Sequence, residues 1–178
     1  NTFFLQSTNF LSSMFQSIRL LNFGSHKKRD MHLKNISVLN FKNYKEATLD
    51  LHSNVNCFVG NNGGGKTNLL DAIFYLSFSK SYFNPADSQI IGHEEPFMVI
   101  QGDFHRLDQN ESIYCGIKRG QKKQFKRNKK DYTRISDHIG LLPLVMISPS
   151  DSSLILDGSD VRRRFLDLII SQYDRPYL

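Results

Sequence analysis

The eight residues Gly60-Asn61-Asn62-Gly63-Gly64-Gly65-Lys66-Thr67 constrain this chain more than any other stretch. They match G-x-x-x-x-G-K-[ST], a loop whose backbone N–H groups cradle a polyphosphate. The four glycines leave no side chain between the backbone and an anion. They also permit the positive φ angles that turn successive N–H groups toward one point. Lys66 has the reach to meet β- and γ-phosphates, and the Thr67 hydroxyl suits Mg²⁺. Upstream, Val55-Asn56-Cys57-Phe58-Val59 predicts a short buried strand running into the loop. Downstream, Asn68 to Leu76 predicts a helix with Leu69, Ile73 and Leu76 on one face and Leu70 and Phe74 on an adjacent one. Such a helix is expected to be buried on most sides, with its N-terminal N–H groups and dipole aimed at the phosphates. Strand, glycine loop and helix in this order predict nucleotide binding.

A chain of 178 residues, 39% hydrophobic and 22% charged, is long enough for one domain with a real core. The formal charge of +6 favours an acidic partner such as nucleic acid. Half of that excess lies in residues 1–30, where Arg19, Lys27, Lys28 and Arg29 face Asp30 alone. That segment is rich in Phe, Ser and Asn, and its longest apolar run, Phe3-Phe4-Leu5, is far short of a signal-peptide core or a membrane span. Phe10, Leu11, Met14, Phe15 and Ile18 fit one side of a docking helix. The preferred expectation is an upstream extension, disordered or not native, before a body that starts at Met31 and runs through residue 178. Cys57 and Cys115 make neither a disulfide framework nor a C-x-x-C site, which fits a reducing, cytoplasmic setting.

From Met31 the pattern becomes regular. His32 to Phe41 alternates with Leu33, Ile36, Val38 and Phe41 as inward positions, broken by Asn35, and Ala47 to Leu51 alternates again. Asn43-Tyr44-Lys45 between them suits a hairpin turn. Strands are also expected at Phe97–Phe104 and Ser112–Ile117, with a polar turn at 106–111, and Pro85-Ala86-Asp87 suits a short helix or turn. His93 and His105 stand alone, without ligand-like spacing, and read as surface or hydrogen-bonded histidines. Ser136 to Leu141 predicts a short capped helix, and Leu144 to Ile147 a buried strand.

Charge concentrates between residues 118 and 130. Lys118, Arg119, Lys122, Lys123, Lys126, Arg127, Lys129 and Lys130 occur there without an acidic residue, with Gly120 and Asn128 marking turns. Such a run on a hairpin can track a phosphate backbone, adding salt-sensitive affinity without reading sequence. The alternative is a solvated hairpin edge whose lysines block strand pairing.

Two blocks carry a family resemblance. Leu39-Asn40-Phe41-Lys42-Asn43-Tyr44, followed by Gly60 to Ile73, resembles the opening of the RecF, RecN and SMC group. Asn62 before Gly63 and Asn68 after Thr67 set this group apart from most other phosphate-loop proteins. The second block, Ser148-Pro149 to Leu156, then Gly158 and Arg162-Arg163-Arg164-Phe165-Leu166-Asp167, narrows the resemblance to the RecF family. The likeness runs over residues 31–178.

The resemblance implies an α/β fold: a P-loop NTPase head of the ABC/SMC type with an antiparallel β subdomain, incomplete at its C-terminus. It implies ATP and Mg²⁺ as cofactors, held by Gly60, Asn61, Asn62, Gly63, Gly64, Gly65, Lys66, Thr67 and Asn68, with Thr67 on the metal. Lys42 is implied near the nucleotide. The implied partners are single-stranded or gapped DNA, a second copy in the ATP state and other recombination mediators, with no membrane. The implied activity is ATP-dependent DNA binding in recombinational repair and replication, with slow ATP hydrolysis in a complete head. Residues 31–178 depart from that pattern in several ways. No apolar run ends in Asp-Glu, no Leu-Ser-x-Gly occurs, and no Gln follows Ile147 before Asp151. These residues are therefore expected to bind ATP without efficient hydrolysis. Arg162, Arg163 and Arg164 suit either phosphates or helix anchoring through Asp160 and Asp167. Two other readings remain open: a P-loop kinase or phosphotransferase, and a DNA-binding module with a degenerate nucleotide site.

Overall fold

The computed structural model describes residues 17–20 and 31–177. Its frame is a six-stranded antiparallel sheet built from β2 (Met31–Phe41), β3 (Tyr44–Asp50), β4 (Phe97–Arg106), β5 (Gln109–Lys118), β6 (Gln124–Arg127) and β7 (Lys130–Asp131). Their spatial order is β3-β2-β4-β5-β6-β7. The inward residues of β2 are all buried, although Leu33 and Ile36 do not share a strict two-residue period. A shift in register between Leu33 and Asn35 against β4 absorbs the extra residue, as a bulge does. Short turns close the meander. Leu107-Asp108 and Asn128-Lys129 all take positive φ, the backbone that matches the twist of a tight hairpin.

Helix α1 (Lys66–Phe78) lies across the inner face of this sheet, and every residue from Leu69 to Phe78 is buried. Its close approach depends on Gly102 of β4, where a Cβ would stand 2.6 Å from Leu76 Cδ1. Ile36, Val38, Phe41, Met98, Ile100, Phe104, Ile113, Cys115 and Phe125 supply the sheet side of the core, and Leu142, Leu144 and Met146 join the same cluster, with β8 (Leu144–Ile147) in contact with the helix. The last three residues belong to or precede that strand. After β8 come the one-turn α2 (Ser153–Leu156) and the longer α3 (Ser159–Tyr173).

Three expectations change. Val55 to Val59 does not form a strand; Val55 is 80% and Val59 65% exposed. A strand needs a neighbour to take its N–H and C=O groups, and none of the described strands pairs with this segment. The chain leading into it is stitched locally instead: Asn56 Oδ1 accepts from the His52 N–H at 2.7 Å, and Asn56 Nδ2 donates to His52 O at 2.8 Å. Second, Ile18 lies in a strand: β1 (Ser17–Leu20) pairs antiparallel with β8. The rest of the proposed docking helix falls outside the described residues. The short helix expected at Ser136–Leu141 is a 3-10 turn at Ile135–His138 with no side-chain cap.

His138 ends that turn inside the core. Its Nε2 meets Leu76 O at 2.6 Å and its Nδ1 meets the Tyr132 hydroxyl at 2.9 Å. Nε2 donates to the carbonyl and Nδ1 accepts from the phenol, an arrangement only the neutral ring makes. Burial pushes the imidazole down to about 4. The unfolded chain therefore takes up a proton between about pH 6.5 and 4 that the folded chain refuses. Stability is full above pH 6.5 and falls as pH drops toward 4, by about 3 kcal/mol at the low end. Urea unfolding at pH 7.5 and 4.5 should show this loss, and His138→Asn should remove most of the difference while lowering stability at both pH values.

Candidate functional site

The loop Gly60–Thr67 runs into α1 with Gly65 at the N-cap, at φ 96°. Gly63 has φ 80°, and nothing stands within 4 Å of where a Cβ would sit at Gly60 or Gly63. The first turn of α1 carries no acidic residue and its N-cap makes no side-chain bond. The first N–H groups of the helix are thus left for an anion, with the positive end of the helix dipole behind them. Lys66 Nζ folds back over the loop, donating to Gly60 O and Asn61 O at 2.8 Å each. The Gly64 N–H turns inward to Asn61 O at 3.1 Å. The open cradle, the free helix end and a lysine over the loop fit a polyphosphate. Thr67, partly exposed, offers one hydroxyl oxygen. That suits Mg²⁺, which keeps waters and takes its other oxygens from phosphates. No cluster of three His, Cys, Asp or Glu occurs among the described residues to hold a metal without a nucleotide.

The turn between β2 and β3 packs against the outside of this loop. Tyr44 lies over Gly65 so closely that a Cβ there would stand 2.8 Å from the ring. Asn43 Nδ2 donates to Gly63 O at 3.1 Å, and Asn68 Nδ2 donates to Asn43 Oδ1 at 2.7 Å. Burial raises the Tyr44 phenol above its ordinary value, so it stays neutral. Lys42, in the left-handed region at φ 51°, turns inward. Its Nζ lies 2.6 Å from Asp71 Oδ2, and the Asp71 carboxylate is fully buried in α1. Asp71 also accepts from Ser81 Oγ at 2.6 Å and the Tyr82 N–H at 2.7 Å. From Tyr82 the contacts continue to Asp151, whose Oδ1 accepts from the phenol at 2.5 Å and whose Oδ2 accepts from the Ser148 N–H at 2.6 Å. Asn43, Tyr44 and Asp71 stand in the first sequence block and Tyr82 lies nine residues beyond it, but no periodicity marks them as one cluster. Only the packing does.

The basic run divides in two. Arg119 Nε donates to Glu95 O at 2.8 Å. Lys123 is turned under the sheet, donating to Ser79 O at 2.6 Å and lying 3.1 Å from Asp87 Oδ2. Arg127 forms a two-pronged pair with the buried Glu111, one bond running from Nε to Oε2 at 2.8 Å. That guanidinium holds the Glu111 carboxyl below the usual carboxylate range. Lys126 lies 3.7 Å from Asp131. Lys118, Lys122, Lys129 and Lys130 are exposed, the first two at one end of the β5–β6 hairpin and the last two at the other. On α3, Arg162 donates to Asp157 O at 2.9 Å and Arg163 lies 3.7 Å from Asp160 on the surface. Asp167 is held by the Tyr177 hydroxyl at 2.5 Å and not by an arginine.

A glycine phosphate loop capping a buried helix on an antiparallel sheet defines the head of a P-loop nucleotide-binding protein. The profile of the RecF/RecN/SMC N-terminal domain matches residues 32–153, and the chain belongs to that family. Within it, the chain is 63% identical over 150 residues to the DNA replication and repair protein RecF of Phocaeicola vulgatus, covering 83% of this chain and 40% of that one. The RecF of Bacteroides fragilis is 61% identical over 149 residues with the same coverage. A solved structure of the recombination mediator protein RecF with ATP superposes with a TM-score of 0.75 at 31% identity, covering 83% of this chain and 41% of that one. An SMC ATPase structure at 19% identity and TM-score 0.60 shares the fold. The chain thus spans two fifths of the length of the curated relatives it matches.

The Lys42–Asp71 pair gives a direct expectation. Removing the ammonium leaves a fully buried carboxylate with two hydrogen bonds and no countercharge. Lys42→Ala should cost about 3 kcal/mol, read as a lower urea midpoint, whereas Lys45→Ala, at an exposed position of the same hairpin, should leave it unchanged within ~0.5 kcal/mol.

Proposed function

We propose that this chain is the ATP-binding part of a RecF-like protein that holds DNA in a nucleotide-dependent way during recombinational repair and replication, in the cytoplasm. The observation that carries the nucleotide half is the bare N-terminal turn of α1, ringed by glycine and overlaid by Lys66. Gly60 to Asn68 line the phosphates in this reading, with Thr67 toward Mg²⁺. The solved RecF–ATP structure, to which the chain is 31% identical, supports the choice of ATP. When bound, the nucleotide supplies negative charge and an interface that a second copy of the protein can complete. Lys42 is better placed to hold α1 through Asp71 than to touch a phosphate, and nucleotide contact would require that pair to open.

For DNA, the reading is limited to the basic residues with no partner within the described fold. Lys118, Lys122, Lys129 and Lys130 are the proposed backbone contacts, and Arg119, Lys123 and Arg127 hold the hairpin that presents them. The names of the relatives, DNA replication and repair protein RecF, support a DNA-directed role.

The test is DNA binding by the chain joined to its natural downstream sequence, with and without Mg·ATP, for wild type and Lys66→Ala. ATP should strengthen binding and promote dimers in wild type alone; binding indifferent to ATP and to the substitution sinks the nucleotide switch. Replacing Lys118, Lys122, Lys129 and Lys130 together by Ala should weaken DNA binding. It should also flatten the slope of log affinity against log salt by up to about 0.7–0.9 for each phosphate no longer neutralised. Lys123→Ala should lower stability and leave that slope alone.

A further inference from the structure

We infer that Asn43 is a positioning residue for the phosphate-binding loop: its side-chain amide locks the Gly63–Gly64 peptide plane with the Gly63 carbonyl turned away from the bound phosphate. The inference rests on the nucleotide-binding reading of that loop.

A glycine loop has a built-in weakness. Gly63 and Gly64 have no Cβ, which lets the backbone approach an anion but also lets the peptide between them turn over with little steric resistance. A trans peptide directs its C=O and N–H to opposite sides. One orientation gives a phosphate a donor and the other gives it an oxygen. In this structure the Gly64 N–H points into the loop, to Asn61 O at 3.1 Å. The carbonyl of the same plane, Gly63 O, points outward and accepts from Asn43 Nδ2 at 3.1 Å.

Asn43 is oriented in its turn. Its Oδ1 accepts from Asn68 Nδ2 at 2.7 Å, and Asn68 stands in the first turn of α1. The directed chain Asn68→Asn43→Gly63 requires an acceptor on one side of residue 43 and a donor on the other, and a side-chain amide supplies both. Turning the Asn43 amide over would set oxygen against oxygen at Gly63 and nitrogen against nitrogen at Asn68. Tyr44, the next residue, presses its ring onto Gly65. One hairpin turn thus fixes the loop at two points, its exposed peptide plane and its helix cap. The turn is itself anchored, because the Lys42 N–H donates to Ile90 O at 2.8 Å.

The experiment compares wild type, Asn43→Ala, Asn68→Ala, the double variant and Lys66→Ala. It measures the affinity of fluorescently labelled Mg·ATP and the melting temperature of each protein. Loss of one such hydrogen bond should weaken nucleotide binding roughly three- to tenfold in Asn43→Ala. Asn68→Ala should have a smaller effect, since Asn43 still reaches Gly63. The double variant should bind no worse than Asn43→Ala, because both side chains act through one carbonyl. All three should melt within a few degrees of wild type. Unchanged affinity in Asn43→Ala overturns the inference, and so do effects that multiply in the double variant. If Asn43→Ala fails to fold, Asn68→Ala alone decides: affinity equal to wild type rejects the chain. Lys66→Ala separates this from the reading beneath it. Binding lost in Lys66→Ala but kept in Asn43→Ala rejects only the positioning role, whereas wild-type binding that is absent or indifferent to Lys66→Ala rejects both.

Discussion

The fold turns on a single buried carboxylate. Asp71 sits in the middle of α1 with no exposure, and two segments outside the helix supply its donors: Lys42 from the β2–β3 turn, and Ser81 Oγ and the Tyr82 N–H from the stretch after α1. An ion buried in this way is tolerated only when its partners are in place. That requirement sets the rotation of α1 against the sheet, and with it the direction of the helix N-terminus. The hairpin carrying Lys42 also carries Asn43 and Tyr44, so the partner of the buried carboxylate and the contacts of the phosphate loop are held on one rigid turn. Stability of the core and geometry of the site are therefore coupled through three consecutive residues.

A second polar network anchors the other end of the helix. Ser77 Oγ donates to Leu142 O at 2.5 Å, His138 caps Leu76 O, and Lys123 reaches Ser79 O. The carbonyls at the C-terminal end of α1 are thus met by side chains from two other segments, a cation among them, which suits the negative end of the helix dipole. The N-terminal end is left without side-chain caps. This contrast is what the chemistry of the loop asks for: one end of the helix satisfied by the protein, the other reserved for an anion.

Much of the core was legible from the chain. Leu33, Ile36, Val38 and Phe41 are buried as their alternation predicts, and the interruption at Asn35 marks the bulge. The helix after the loop is buried on nearly every side, as the spread of its apolar residues around the helix implies. Val55–Val59 carries the pattern of a strand without being one, because local pattern reports a preference for extended backbone and cannot report whether a neighbour exists to pair with it. The basic run was legible as a charge density and not as a surface, because a hairpin sends alternate side chains to opposite faces. Lys123 and Arg127 are consumed inside the fold, while Lys129 and Lys130, at the β6–β7 turn, are not.

The sequence by itself determined that this chain carries a phosphate loop, because glycine spacing and the lysine–threonine pair are local requirements of the chemistry, and the residues around that loop place it among the RecF, RecN and SMC heads. Only the tertiary structure decided that Lys42 faces a buried aspartate, that four of the eight clustered cations are left outward, and that Asn43 and Tyr44 hold the loop from behind. Those assignments depend on partners far apart in the chain, 20 positions for Asn43 and Gly63 and 44 for Lys123 and Ser79. Local propensity carries no information about which distant partner a charge or an amide will find.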